Sequence, residues 1–289
     1  MPPVDSDRDR RTDMSGHVLG QLGLRLDERD GTHHIDLELA PVHLAADGHV
    51  DFGVLGVFLD LAASQPPQMR TVGPWVHADI TIHRLRAPRG GTLRTAPRMA
   101  RMGRRSGIVE IEVHDDTGVH VARSVQEVAF PKGAADVDVH DDGGEARAAF
   151  LRRFEGTCRL AGPLPEVLEI ARADGDGVPR WSLPLHDLGR NGFGALHGGV
   201  ATSLIDVAAA GAVTEEAGIP ARTLHAAIRY LAPGTTGPFL AVPRVVGRDG
   251  PVATVVVEVR DTGADGRLII LADAIVASSS GRGDPGSCP

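Results

Sequence analysis

Two stretches of the chain, 146 positions apart, carry nearly the same sequence. VLGVFLDLAAS from Val54 aligns without a gap on VATSLIDVAAA from Val200. Each apolar run holds one carboxylate, Asp60 in the first and Asp206 in the second. The agreement continues downstream. LRAP from Leu85 aligns with YLAP from Tyr230, Pro97 with Pro243, and EVHD from Glu112 with EVRD from Glu258, at an offset of 145 or 146. A constant offset held over about a hundred residues is the mark of two copies of one structural unit.

The copies are expected at residues 17–131 and 148–279, joined by an acidic, glycine-containing linker at 132–147 that leads into a short helix near Ala148. Residues 1 to about 16 and the tail from Ser278 have the composition of disordered segments. Each copy begins with a strand (near Thr32–Leu39 and near Pro179–Leu185), followed by a loop and one apolar helix. Four alternating β segments then follow, well marked in the second copy: Arg222 to Leu231, one carrying Phe239, Ala241 and Val245, then VATVVVEVRD from Val252 and RLIILADAIVA from Arg267. The first copy's helix is expected to be shorter, because Pro66-Pro67 stands where the second copy continues into TEEAG. One apolar helix followed by an antiparallel meander implies an α+β unit, a sheet wrapped around a helix.

Composition narrows the function classes. With 42% hydrophobic residues a sizeable core can form, and no run approaches 18 apolar residues, so no membrane span is expected. The charged N-terminal stretch has no apolar segment of signal-peptide type. Two cysteines, Cys158 and Cys288, make neither a disulfide framework nor a zinc pattern, so a reduced, cytoplasmic protein is expected. A net charge of −8 and 3% aromatics argue against nucleic acid as partner.

The two copies differ just before the helical runs. The second reads NGFGALHGG from Asn191, while the matching letters in the first, from Ala45, read AADGHVDFG. Asn191, Gly192, His197, Gly198, Gly199 and Asp206 form an N…G…HGG…D pattern, and Thr223 precedes the strand ending in RYLAP. This pattern and element order resemble the hotdog-fold acyl-CoA thioesterases, in particular the phenylacetate-pathway (PaaI) type, here as two tandem hotdog domains. The resemblance implies hydrolysis of an acyl- or aryl-CoA thioester with no metal or redox cofactor, and a Ser or Thr role for Thr223. Hotdog proteins usually work as dimers with shared sites; here a free sheet face or edge makes a homo-oligomer of double units an expected assembly.

The chemistry of the residues agrees. A helix start offers unpaired N–H groups and partial positive charge, and Gly198 and Gly199 let a carbonyl approach that backbone. Such donors stabilise the oxyanion formed when a thioester is attacked. Asn191 would orient the carbonyl or a water, His197 would brace the loop, and a carboxylate would act as nucleophile or general base. Asp206, however, lies about 12 Å along the helix from Gly198, too far to act on a carbonyl held there. The expected site is therefore composite, with Asn191, His197 and Gly198 facing Asp60. The opposite pairing sets Asp206 and Thr223 against Asp51, Phe52 and Gly53, where an acidic group and a large ring replace the carbonyl site. The stronger pairing has one flaw in this alignment: Ala78 matches Thr223 and brings no hydroxyl.

The arginine-rich RMARMGRRSG stretch reads as a solvated hairpin. Its functional reading places Arg101, Arg104 and Arg105 on the phosphates of coenzyme A. Two other functions remain open. A non-catalytic acyl-CoA-binding protein would keep the pocket and lose turnover. A hotdog hydratase would need a catalytic His and an Asp in a different constellation, which the sequence does not display, and ranks below the first.

Overall fold

A computed structural model describes residues 16–29, 32–66, 75–130, 143–173 and 177–278. The expected disorder at the N-terminus and C-terminal tail falls almost wholly outside these residues, as do Pro67 and most of the expected linker.

The first half runs α1 (Val18–Gln21), β1 (Leu24–Arg29), β2 (Thr32–Glu38), α2 (Phe52–Ala62), β3 (Val76–Arg84), β4 (Thr92–Met102), β5 (Ser106–Asp115) and β6 (His120–Ala129). The second runs α3 (Gly143–Arg152), α4 (Leu164–Val167), β7 (Ala171–Ala173), β8 (Arg180–Leu183), α5 (Gly198–Ala217), β9 (Ala221–Tyr230), β10 (Phe239–Asp249), β11 (Val252–Asp261) and β12 (Arg267–Ser278). All the strands form one antiparallel sheet in the order β1-β2-β4-β5-β6-β3-β9-β12-β11-β10-β8-β7. That order reads the same from either edge once each strand is replaced by its counterpart. The halves meet at β3 and β9, where Ile80 pairs with Ile228 and Ile82 with Ala226. One strand is expected before each helix; β1 and β7 are additional, β1 with an apolar alternation limited to Leu24 and Leu26 and β7 only three residues long.

α2 and α5 are the two apolar helices, and the sheet strands turn alternate side chains toward them, as in the strict alternation along β11. α5 ends at Gly218, whose φ of 70° closes the helix in the left-handed conformation. α2 stops at Ala62, before the proline pair, and is 11 residues against 20 for α5. The helices cross antiparallel through small residues. A Cβ on Gly53 would meet Ser203 Cβ at 2.5 Å, one on Gly56 would meet Thr202 Cβ at 2.5 Å, and one on Gly199 would meet the Val57 Cα at 2.4 Å. This close crossing carries the end of α2 to the start of α5.

The strand pairing corrects the sequence alignment. In β3 the ladder skips Ala78, between His77 and Asp79; in β9 it skips Leu224, between Thr223 and His225. Past the strands, the Leu85 and Arg86 amides both donate to Val121 O, and the Leu231 and Ala232 amides both donate to Ile269 O. The offset is therefore 146 through β3 and β9 and the turns that follow them, widening to 148 only between β6 and β12, and the LRAP/YLAP match is a one-residue slip made by its prolines. His77, not Ala78, is the counterpart of Thr223, and Arg84 is the counterpart of Tyr230.

Candidate active site

His197 caps the start of α5, its Nδ1 accepting the Gly199 N–H at 3.1 Å. The same N–H lies 3.1 Å from Asp60 Oδ2, which arrives from α2 of the other half. Asp60 Oδ1 is 3.7 Å from His197 Nε2, and Asp60 Oδ2 is 3.4 Å from His77 Nδ1. Gly198, the first residue of α5, keeps an N–H without an acceptor among the described residues, while its carbonyl accepts the Tyr230 hydroxyl at 2.9 Å. Asp60 retains 12% side-chain exposure and His77 and His197 6% each, so the cluster is nearly but not wholly closed.

Burial pushes the Asp60 carboxyl up, but the His197 and His77 imidazoles and the Gly199 N–H more than offset it, and its pKa falls to about 2. Asp60 is thus ionised at neutral pH. Burial lowers His197, with Asp60 opposing. His17, just before α1, brings a third imidazole: its ring centroid lies 5.3 Å from that of His197, and burial followed by the His197 charge lowers its pKa to about 4. Burial, followed by the charge of Asp60, raises the Tyr230 hydroxyl well above the ordinary phenol range.

The counterpart cluster is different in kind. Asp51 caps α2, its Oδ1 accepting the Val54 N–H at 3.0 Å, with Phe52 and Gly53 following. Arg84 Nη1 donates to Val50 O at 3.2 Å, and its guanidinium lies 5.8 Å over the Phe52 ring. Burial first, then the Asp51 charge, raises Asp206 to about 7 despite Arg84 and the Thr223 hydroxyl. Burial raises Asp51 as well. Two carboxyls that resist ionisation hold this site, in contrast to the ionised Asp60.

The structure therefore brings Asp60, His197, Gly198 and Gly199 together, and gathers Asp206 with Thr223 around Asp51. Asn191 lies in the loop ahead of α5, where its Oδ1 accepts the Phe193 and Ala195 amides at 2.9 and 3.1 Å. That commits its carbonyl to holding the loop. Gly199 is required by the helix crossing, and Gly198 by the approach of Asp60, whose Oδ2 would stand 2.6 Å from a Cβ there. Arg101, Arg104 and Arg105 are exposed at the β4–β5 hairpin. Since Ser106 and Val76 both pair with Ala129, this hairpin lies at the His77 end of the sheet. His77, Tyr230 and His17 were missed from sequence; the first two are visible once the alignment is held at 146. Glu112, His114 and His120 place ligand atoms within 4.8 Å of one another on the sheet, away from these clusters in the chain. A cavity of about 460 Å³ lined by His49, Leu85, Arg86, Ala87, Pro88, Arg89 and Val119 follows Arg84, on the side of the second cluster.

A sheet wrapped around an apolar helix, present in each half, defines a protein of the hotdog fold. Residues 193–266 match the family model of the thioesterase superfamily. The chain is similar in structure to a tesB protein of Mycobacterium avium subsp. paratuberculosis (14% identity, 91% of this chain and 98% of that one, TM-score 0.62). It is similar also to the acyl-CoA thioesterase II TesB2 of Mycobacterium marinum (13%, 94% and 99%, TM-score 0.57). A third likeness is to a protein of unknown function with a hot dog fold from Alicyclobacillus acidocaldarius (13%, 92% and 99%, TM-score 0.60). Among curated proteins none matches the chain. No helix among the described residues is long and apolar enough to cross a membrane.

Proposed function

We propose that the chain hydrolyses an acyl- or aryl-CoA thioester to the free acid and coenzyme A, at a composite site between two tandem hotdog units of the phenylacetate-pathway type. One observation carries the reading: Asp60, on α2, meets the start of α5 at 3.1 Å from Gly199 N. The second unit would hold the thioester carbonyl at the Gly198 N–H, where the helix dipole favours developing negative charge. The first would supply the carboxylate. The units span 17–131 and 148–279, act in the cytoplasm, pair further into oligomers, and use no metal or redox cofactor. Arg101, Arg104 and Arg105 would meet the coenzyme A phosphates from the hairpin at the same end of the sheet.

A non-catalytic acyl-CoA-binding protein is the second reading. It is favoured by the Gly199 N–H, already shared between Asp60 and His197, and by the second cluster, where Asp51 and Phe52 stand at the carbonyl position. Thioester release measured over a panel of acyl and aryl-CoAs separates the two. Free thiol above background with at least one of them is expected, and its absence from all of them ends the enzyme reading. Asp60→Ala is expected to lower turnover more than Asp206→Ala; the reverse order would move the site to the second cluster.

A further inference from the structure

His77 touches Asp60 and is not supplied by the family pattern, and it stands at the strand position that Thr223 fills in the other half. Its Nδ1 faces Asp60 Oδ2 at 3.4 Å. Its Nε2 is buried and has no hydrogen-bond partner among the described residues. The Trp75 ring meets the imidazole edge-on, 5.0 Å between centroids at 90°, and fixes its plane. A buried polar atom left without a partner costs stability and calls for a reason. An imidazole held at Nδ1 by a carboxylate, with Nε2 bare, is the arrangement that hydrolases use to move a proton.

The geometry points to His77 as the catalytic general base of the site, with Asp60 as the group that orients it and balances its charge. This deepens the thioesterase reading and rests on it. Asp60 donates its Coulombic field and keeps the proton of the neutral ring on Nδ1. His77 Nε2 takes a proton from the attacking water as the water oxygen bonds to the thioester carbon. The carbonyl electrons move to oxygen, opposite the Gly198 N–H. As that intermediate collapses, the carbon–sulfur bond breaks, and His77 returns its proton to the departing thiolate. Acid and thiol leave, and the ring is neutral again. The ionised state of Asp60 fits this division, because a carboxyl of such low basicity is a weak proton acceptor near neutrality. Thr223, at the corresponding place beside Asp206, has a hydroxyl and no comparable base.

The test is steady-state thioester release by the whole chain and by His77→Ala, His77→Gln and His77→Thr, with melting temperatures measured alongside. Gln and Thr keep a polar contact to Asp60 without a base, and Thr copies the residue of the other half. The expected result is a kcat loss of about 10²-fold or more in all three variants that fold, with KM within about threefold of wild type. Wild-type kcat in either His77→Gln or His77→Thr would overturn the proposal, reduce His77 to a positioning residue, and leave the hydrolase reading standing. An inactive wild type would remove both at once.

Discussion

Asp60 Oδ2 stands 2.6 Å from where a Cβ on Gly198 would lie, so the carboxylate of one helix dictates the glycine that opens the other. The Tyr230 hydroxyl is also close, at 3.1 Å from the same point. Gly198→Ala would therefore push Asp60 off the start of α5. Because a displacement of about 1 Å at a reacting group costs on the order of 10²-fold in rate, a loss of that size in kcat/KM is expected, with a nearly unchanged melting temperature. A Gly198→Ala variant at wild-type rate would mean that Asp60 has no part in turnover.

Gly199, one residue on, fails for another reason. Its Cβ would enter the backbone of α2, at 2.4 Å from Val57 Cα and 2.6 Å from Val57 N. Backbone cannot rotate aside, so the helices must separate. Gly199→Ala is expected to cost about 1–3 kcal/mol of stability, read as a lower midpoint in urea unfolding. An unchanged midpoint would contradict the tight crossing of α2 and α5.

The two glycines mark how far the sequence could be read. The repeat, the two central helices, the meander and the meeting of Asp60 with the start of α5 all follow from letter spacing and a helix rise of about 1.5 Å per residue. Packing does not. Gly199 reads as an opening for substrate until Val57 is seen beneath it. His77 stayed hidden because matching prolines in LRAP and YLAP pulled the alignment one residue aside. A one-residue slip in a strand sends every side chain to the other face, so Ala78 took the place of His77 and the site lost its imidazole. β1 and β7 escaped because they are short: β1 offers only Leu24 and Leu26 as an alternating pair, and β7 is three residues long.

The carboxyls of the second cluster should make stability depend on pH. Asp206 is raised from 3.8 to about 7, by burial and then by Asp51. The folded chain then holds a proton that the unfolded chain has released. Its contribution to stability is complete below 3.8 and is lost as pH rises through about 7. Unfolding midpoints measured from pH 4 to 8 should fall for wild type relative to Asp206→Asn, which keeps the neutral form throughout. Parallel curves for the two proteins would show that Asp206 ionises normally.

Asp115 and Asp261, also 146 positions apart, fold the loops that follow β3 and β9. Asp261 accepts the amides of Thr235, Thr236 and Gly237 at 2.9, 3.1 and 2.8 Å. Asp115 accepts those of Arg89, Gly90, Thr117 and Val119. Burial pushes the Asp115 carboxyl up, but these donors together hold it well below the usual carboxylate range. Its contribution is therefore present above the ordinary carboxylate pKa and lost on strong acidification. Asp261 is fully buried, and Asp261→Ala would leave three amides without their acceptor, for a loss on the order of 3 kcal/mol. Thermal unfolding reads that loss directly. Turnover per folded molecule should survive it, because neither carboxylate touches Asp60, His77 or the start of α5. A stable Asp261→Ala that has lost turnover would instead place the Pro233–Pro238 loop in the working site.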